Sequence, residues 1–260
     1  MNSATTHSSS ESETPWFESA FEAGYLDVYA HRSQDAARAE VAGLLERQLV
    51  PAGGCLLDLA CGAGRHTLAF LEAGCAVVGL DLSGALLARA QELDGGILRD
   101  RLVRGDVRAL PFRTGAFDTV AMLFSSWGYF DDDANAEVLE VVARSVAPGG
   151  LLLLDLMNAD RIRRTLVPES RDEKGGRVMV QRRHLGHHGR RVVKHVSVTE
   201  ADGTERTWHE DVRLYGPNEL EVLLLARGFR LERLEGDFDG RPFDADAPRM
   251  IVWARRNETQ

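Results

Sequence analysis

From residue 55 to residue 157 short, almost wholly apolar runs alternate with stretches whose apolar positions recur at helical spacing. Cys55–Ala60, Ala76–Asp81, Arg101–Arg104, Phe117–Phe124 and Leu151–Met157 read as strands. Arg65–Ala73, Gly84–Glu92 and Asp133–Val146 read as the helices between them, the last stopped by Pro148-Gly149-Gly150. Continuous apolar strands separated by helices predict a parallel sheet buried on both faces, doubly wound with right-handed crossovers. Upstream, Trp16–Tyr29 reads as a short aromatic helix and Gln34–Gln48 as an amphipathic one.

Beyond Met157 the rhythm changes. Gly176–His184, Arg190–Thr199 and Arg206–Leu214 mix polar and β-branched residues and are separated by the turn clusters Gly186-His187-His188-Gly189 and Ala201-Asp202-Gly203. This pattern predicts an antiparallel meander of three strands. Asn218 then caps a helix over Glu219–Arg227, closed by Gly228, and the strands Phe229–Asp237 and Arg249–Arg255 bring the main sheet to seven. The meander is thus an insertion after the fifth strand. The predicted division is a disordered tail at 1–14, an N-terminal helical segment at 15–52, a core at 53–158 and 215–257, and the insertion at 159–214.

Composition narrows the class. The 260 residues are 44% apolar and 27% charged, ordinary for a globular protein, and no run approaches the length of a membrane span. The Ser/Thr-rich start lacks a basic and apolar leader, so the expected compartment is the cytoplasm. Three cysteines without a CxxC spacing give neither a disulfide framework nor a zinc site. A net charge of −9 speaks against nucleic acid and anionic membrane as partners. The insertion departs from that average, with 13 Lys/Arg against 9 Asp/Glu between Asp160 and Arg213, and five of the eight histidines. It is either the solvated face of a sheet or a basic surface for an anionic substrate. His184, His187 and His188 span a predicted hairpin turn with no further ligand at matching spacing, so no metal is expected.

The chemistry gathers at one turn. The first strand runs directly into Cys61-Gly62-Ala63-Gly64, and a helix follows. Glycines there let a ligand approach the backbone, and the helix start adds exposed N–H groups. Asp81 ends the second strand, where a carboxylate accepts from ribose hydroxyls; Asp106 follows the third, where it can accept from an exocyclic amine such as that of adenine. Asp58 lies inside the first strand, close enough to hold the turn or approach a cofactor amino group.

On the runs DLACGAGRH, GLDLS, RGDVRALPF, FDTVAMLFSSWGYF and APGGLLLLDLMN, the chain resembles the class I S-adenosylmethionine-dependent methyltransferases. The runs WFESAFEAGYLDVYAHR, LYGPNELEVLLLARGF and EGDFDGRPFDADAPRMIVWARR extend that resemblance to a bacterial subgroup acting on small molecules. It implies a Rossmann-like sheet and S-adenosyl-L-methionine as cofactor, with S-adenosyl-L-homocysteine as product. By position, Asp58, Ala60, Gly62 and Gly64 would surround the methionine moiety, Asp81 and Leu82 the ribose, and Asp106 and Val107 the adenine. Phe124 and Ser125 would line the methyl-transfer site. Tyr25, Tyr29 and Arg32 would belong to an N-terminal lid, with Arg32 meeting the cofactor carboxylate and Tyr25 facing the acceptor.

Methyl transfer from a sulfonium is an in-line displacement that asks chiefly for positioning; a base is needed only if the acceptor is protonated. His66, His209 and Tyr215 are the candidate bases, and Trp127, Tyr129 and Arg213 candidate groups facing a small-molecule N or O acceptor. Three other readings compete. A nicotinamide enzyme wants a third small residue where Thr67 stands; an RNA methyltransferase would use the basic insertion; a non-catalytic cofactor-binding subunit would lack the acids that are present. Oligomeric state, monomer or homodimer, is left open by the sequence.

Overall fold

The computed structural model describes residues 15–21, 33–93 and 95–258. Tyr25, Tyr29, Arg32 and the tail at 1–14 lie outside them, and of the first aromatic helix only α1 (Trp16–Ser19) falls within. α2 (Gln34–Glu46) is capped by the Ser33 hydroxyl, which accepts from Ala36 N.

The main sheet contains β1 (Cys55–Leu59), β2 (Ala76–Asp81), β3 (Leu102–Arg104), β4 (Phe117–Met122), β5 (Val146–Met157), β10 (Phe229–Glu235) and β11 (Arg249–Arg256), in the order β10-β11-β5-β4-β1-β2-β3. β1 pairs in parallel with β2 and β4, β2 with β3, and β4 with β5; β11 runs antiparallel to β5 and β10. Alternating side chains of each strand feed two cores. On one face Leu57, Val120, Leu152 and Leu154 pack with Val138, Leu139 and Val142 of α5 (Asp132–Ser145) and with Leu220 and Leu224 of α7 (Pro217–Leu225). On the other, Leu56, Ala121 and Leu153 pack with Val41 and Leu44 of α2 and with Phe70 of α3 (Arg65–Glu72). α4 (Gly84–Leu93) links β2 to a 3-10 turn before β3.

The insertion folds as a second sheet of four strands, β6 (Glu169–Lys174), β7 (Arg177–Gly186), β8 (Arg191–Thr199) and β9 (Glu205–Arg213), paired antiparallel in that order after α6 (Ala159–Thr165). The sequence predicts three of them. β6, Glu-Ser-Arg-Asp-Glu-Lys, is an exposed edge with no apolar face to betray it. Several boundaries also differ from expectation. β5 begins at Val146, so Pro148-Gly149-Gly150 lie inside the strand and not between helix and strand. Gly216, with Pro217 at the first helical position, starts α7 in place of Asn218. Asp131 caps α5 through Ala134 N, one residue ahead of the expected start. β4 stops at Met122, because Phe124 and Ser125 turn into the left-handed region, each with φ 58°.

Candidate functional site

The strand order reverses between β4 and β1, and the crevice at such a switch is where doubly wound sheets bind ligands. The turn after β1 opens there. Ala60, Gly62 and Gly64 have φ of 61°, 58° and 72°. A Cβ at Gly62 would meet nothing nearer than Leu86 Cδ1 at 3.8 Å, so the ground above it is open, whereas a Cβ at Gly64 would strike Leu98 Cδ1 at 2.9 Å. Gly64 caps α3 without a side-chain bond, so the helix starts at the mouth of the crevice.

Asp81 holds this turn from the neighbouring strand. Gly62 N donates to its Oδ2 at 2.7 Å and Ser83 N to its Oδ1 at 2.8 Å. Burial pushes the Asp81 carboxyl up, and those two backbone donors pull it back. A carboxylate has about four acceptor sites, so Asp81 retains capacity for a ligand donor. Asp58, 2% exposed, accepts from the Thr67 hydroxyl at 2.6 Å, and burial raises its pKa too. Asp106, by contrast, is committed: Arg108 donates to both of its oxygens through Nε and Nη2, and also through its backbone N, which holds the carboxyl below its usual range. An adenine amine would share or displace those bonds. Half-buried Val107 packs against the main core, and Leu82 sits half-buried at the end of β2 with its carbonyl accepting from Arg104 Nε. The open ground over Gly62 and the two carboxylates fit an adenosine cofactor carrying a cationic methionine end.

Beside that crevice lies a cleft of about 340 Å³. Strand ends of the main sheet contribute Phe124, Ser125, Leu156, Met157, Pro248 and Arg249; α1 and its following residues contribute Trp16 and Phe21; the segment after β4 contributes Tyr129; and the insertion contributes Lys194, Glu210 and Val212. Trp16 meets Tyr129 edge-on at 4.8 Å, and Phe21 stacks on Tyr129 at 5.8 Å, so one wall is aromatic. The Phe124–Ser125 turn is fixed by Asp155, which is fully buried in β5. Its carboxylate accepts from Phe124 N at 2.7 Å and from two nitrogens of Arg249, and its carbonyl accepts from Ser125 N at 2.8 Å. The guanidiniums of Arg249 and Arg65 lie over the Phe124 ring, at 4.6 and 3.9 Å.

The candidate bases fall in three different surroundings. His66, 5% exposed, is held by Glu40 at 2.7 Å beside the Phe124 ring. Burial works against ionised Glu40, but the His66 bond and Arg65 keep its carboxyl below the ordinary range. His209 lies on the face of β9 opposite Glu210 and Val212, exposed, in a row of rings with His195 and His184 spaced 5.9 Å apart. Tyr215 is stacked on Trp127 at 4.4 Å in the core, and burial pushes its phenol up to about 12. Arg213, 5% exposed, is spent on Asp132 and Glu219. Trp127, Tyr215 and Arg213 therefore form a packed unit that does not line the cleft, while Tyr129 does. Among the described residues no cluster of three metal-ligating side chains exists, and no helix is long and apolar enough to cross a membrane.

Sequence reasoning passed over Asp155, Arg249, Lys194 and Glu210. For the last two a signal exists: the turn at Ala201–Gly203 sets Thr199 opposite Glu205, and counting five residues outward on each strand sets Lys194 opposite Glu210.

Residues 56–150 match a family described as a methyltransferase domain. The chain is 31% identical over 252 residues to the dTDP-3-amino-3,4,6-trideoxy-alpha-D-glucopyranose N,N-dimethyltransferase of Streptomyces venezuelae, covering 88% of this chain and 99% of that protein. It is 30% identical over 228 residues to the dTDP-4-amino-2,3,4,6-tetradeoxy-D-glucose N,N-dimethyltransferase of Saccharopolyspora spinosa, covering 84% and 88%. In fold it is similar to the CcbJ methyltransferase of Streptomyces caelestis, with a TM-score of 0.77 at 20% identity over 94% of this chain and 99% of that one.

Proposed function

The chain belongs to the class I S-adenosylmethionine-dependent methyltransferases, and from that premise we propose that it methylates a nitrogen of a sugar-sized amine held in the cleft above Phe124 and Ser125. The cofactor is S-adenosyl-L-methionine, which when bound would supply an activated methyl carbon, with S-adenosyl-L-homocysteine as the product.

The observation that carries the acceptor reading is the cleft itself. At about 340 Å³ it sits at the small end of ligand pockets, and it is lined by Trp16, Phe21 and Tyr129 and by Lys194, Glu210 and Val212 of the insertion. That size suits a ring-shaped molecule and does not suit a folded polynucleotide. Nitrogen is preferred to oxygen because two relatives of this chain are, by name, amino-sugar N,N-dimethyltransferases.

The residues divide the work. Asp81 and the Gly62–Gly64 turn would hold the nucleoside, and Asp58 would face the cationic methionine end. Residues 159–214 would serve as a cap that closes the cleft and excludes water. The Phe124–Ser125 turn would set the distance between methyl carbon and nucleophile, where in-line geometry provides most of the rate. Once its nitrogen has lost its proton an amine attacks unaided, so neither His209 nor Tyr215 is required.

The test is a transfer assay with methyl-labelled cofactor over paired acceptors that differ only in amine against hydroxyl, amino-sugar nucleotides among them. Label is expected in the amines. Label confined to hydroxyl acceptors, or to added RNA, would overturn the reading.

A further inference from the structure

We propose that Glu210 is the residue that selects a basic amine as acceptor, holding the acceptor nitrogen in the place where it now holds Lys194. This rests on the small-amine reading above and names the side chain that enforces it.

Lys194 on β8 and Glu210 on β9 are register partners, and both line the cleft. Nζ stands 2.6 Å from Oε2, and the two side chains are only 16% and 17% exposed. Trp208, two residues earlier on the same face of β9, donates from Nε1 to the other carboxylate oxygen at 3.4 Å. The cleft thus presents a carboxylate with a primary ammonium already seated on it, near the aromatic wall of Trp16, Phe21 and Tyr129. Ring faces attract cations, so this wall and the carboxylate favour the same ligand charge.

The other cation of the cleft is not available for exchange. Arg249 is locked to fully buried Asp155 by two bonds, and releasing it would strand a buried charge. Lys194 carries its ammonium on a flexible stem that hydrates readily outside the cleft. An entering ammonium that displaces it leaves Glu210 paired. A hydroxyl in the same place would give the carboxylate a neutral donor for a charged one, and that difference is the selection.

The proton bookkeeping closes. The acceptor enters as an ammonium ion and passes one proton through the Glu210 carboxylate to solvent. Its nitrogen then has a lone pair for the methyl carbon. The N-methylated product carries one positive charge again and faces the same carboxylate.

The test uses the full chain saturated with S-adenosylhomocysteine, whose own affinity is measured first. Cyclohexylammonium and cyclohexanol are then titrated and followed by ligand-observed NMR. The ammonium should bind saturably and more tightly than the alcohol. Lys194→Ala, which removes the resident competitor, should tighten it several-fold. Glu210→Gln, nearly isosteric, should weaken it by about tenfold or more without moving cyclohexanol or S-adenosylhomocysteine. Equal binding of the two probes, indifference to Glu210→Gln, or weaker ammonium binding in Lys194→Ala would overturn the proposal. Failure of the amine reading itself would show separately, as absence of N-methylated product in the transfer assay; amine products formed undiminished by Glu210→Gln would sink this inference alone.

Discussion

Replacing Asp155 by Asn should unfasten the turn that borders methyl transfer. Asp155 is 0% exposed and its carboxylate accepts three bonds, one from Phe124 N and two from Arg249. Asn keeps one carbonyl oxygen for Phe124 N but turns an amide N–H toward a guanidinium. Removing one member of a buried ion pair costs about 3–5 kcal/mol. Arg249 retains 22% side-chain exposure, which moves the expectation to the lower half of that range. Phe124 and Ser125 sit in a backbone region that costs about 1–3 kcal/mol per non-glycine residue, and Asp155 is what holds both there. The strain is not added to the loss, because the bond from Ser125 N to the Asp155 carbonyl survives the substitution. A loss near ~3 kcal/mol is a large share of the 5–15 kcal/mol by which domains are stable. Arg249→Met should cost a similar amount by leaving the carboxylate buried with one donor. The double variant removes both charges and should cost at least about 1.5 kcal/mol less than the sum of the singles. Urea unfolding followed by circular dichroism measures all three. Single losses under about 1 kcal/mol, or strict additivity, would refute the claim that this pair fastens the turn.

Other substitutions probe the rest of the site. Asp81→Ala should weaken S-adenosylmethionine binding by about 1–3 kcal/mol, read by calorimetry, since a ribose hydroxyl would lose its acceptor; an unchanged affinity would remove Asp81 from the ribose site. Asp58 has a folded-state pKa raised by burial, so its favourable contribution is fully present below the unfolded value near 3.8 and is lost as pH rises through the folded pKa. Asp58→Asn should therefore gain stability relative to the native chain as pH climbs through that window, while binding the cofactor less well; a stability difference flat from pH 3 to 7 would contradict this. The Tyr215 hydroxyl is buried without a hydrogen-bond partner, its neighbour Asn135 having given both its side-chain groups to the backbone of Phe130. Tyr215→Phe should leave transfer intact and hold or raise stability by up to about 1 kcal/mol, and a clear loss of turnover would restore the phenol to the chemistry.

What could be seen in the sequence follows the distance over which each feature is set. Strands β1, β2, β4 and β5 show as apolar runs because most of their side chains are buried, and the glycine turn with Asp81 shows because strand ends and turn chemistry are local. Helix α6, Ala-Asp-Arg-Ile-Arg-Arg-Thr, escaped because its charges hide any stripe; it is fixed by Asn158, which caps it and reaches Asp244 and Ala247 through the same amide. Strand β4 was read through Phe124 because an apolar residue cannot announce that its N–H will be captured from another strand. That captor, Asp155, lies 94 residues from Arg249, and only the antiparallel register of β5 on β11 brings them together. The sequence offers Trp127 as facing the acceptor and Tyr215 as a base because they flank the right strands, yet their rings find each other first.

The insertion's positive charge is the feature whose meaning changes most once the strands are paired. Its arginines answer acids of its own or of the adjoining core: Arg177 and Arg206 share Glu200, Arg182 meets Glu169, Arg191 meets Asp211, and Arg190 and Arg213 share Asp132 and Glu219. The Arg190 and Arg213 pairs tie the sheet to α5 and α7 and thereby help fix which face of β8 and β9 looks into the cleft. That face carries Val212, Lys194 and Glu210. On the proposed reading, the main sheet would hold the cofactor largely with backbone and strand-end acids, and discrimination among acceptors would fall to the two opposite charges that the insertion places inside the cleft.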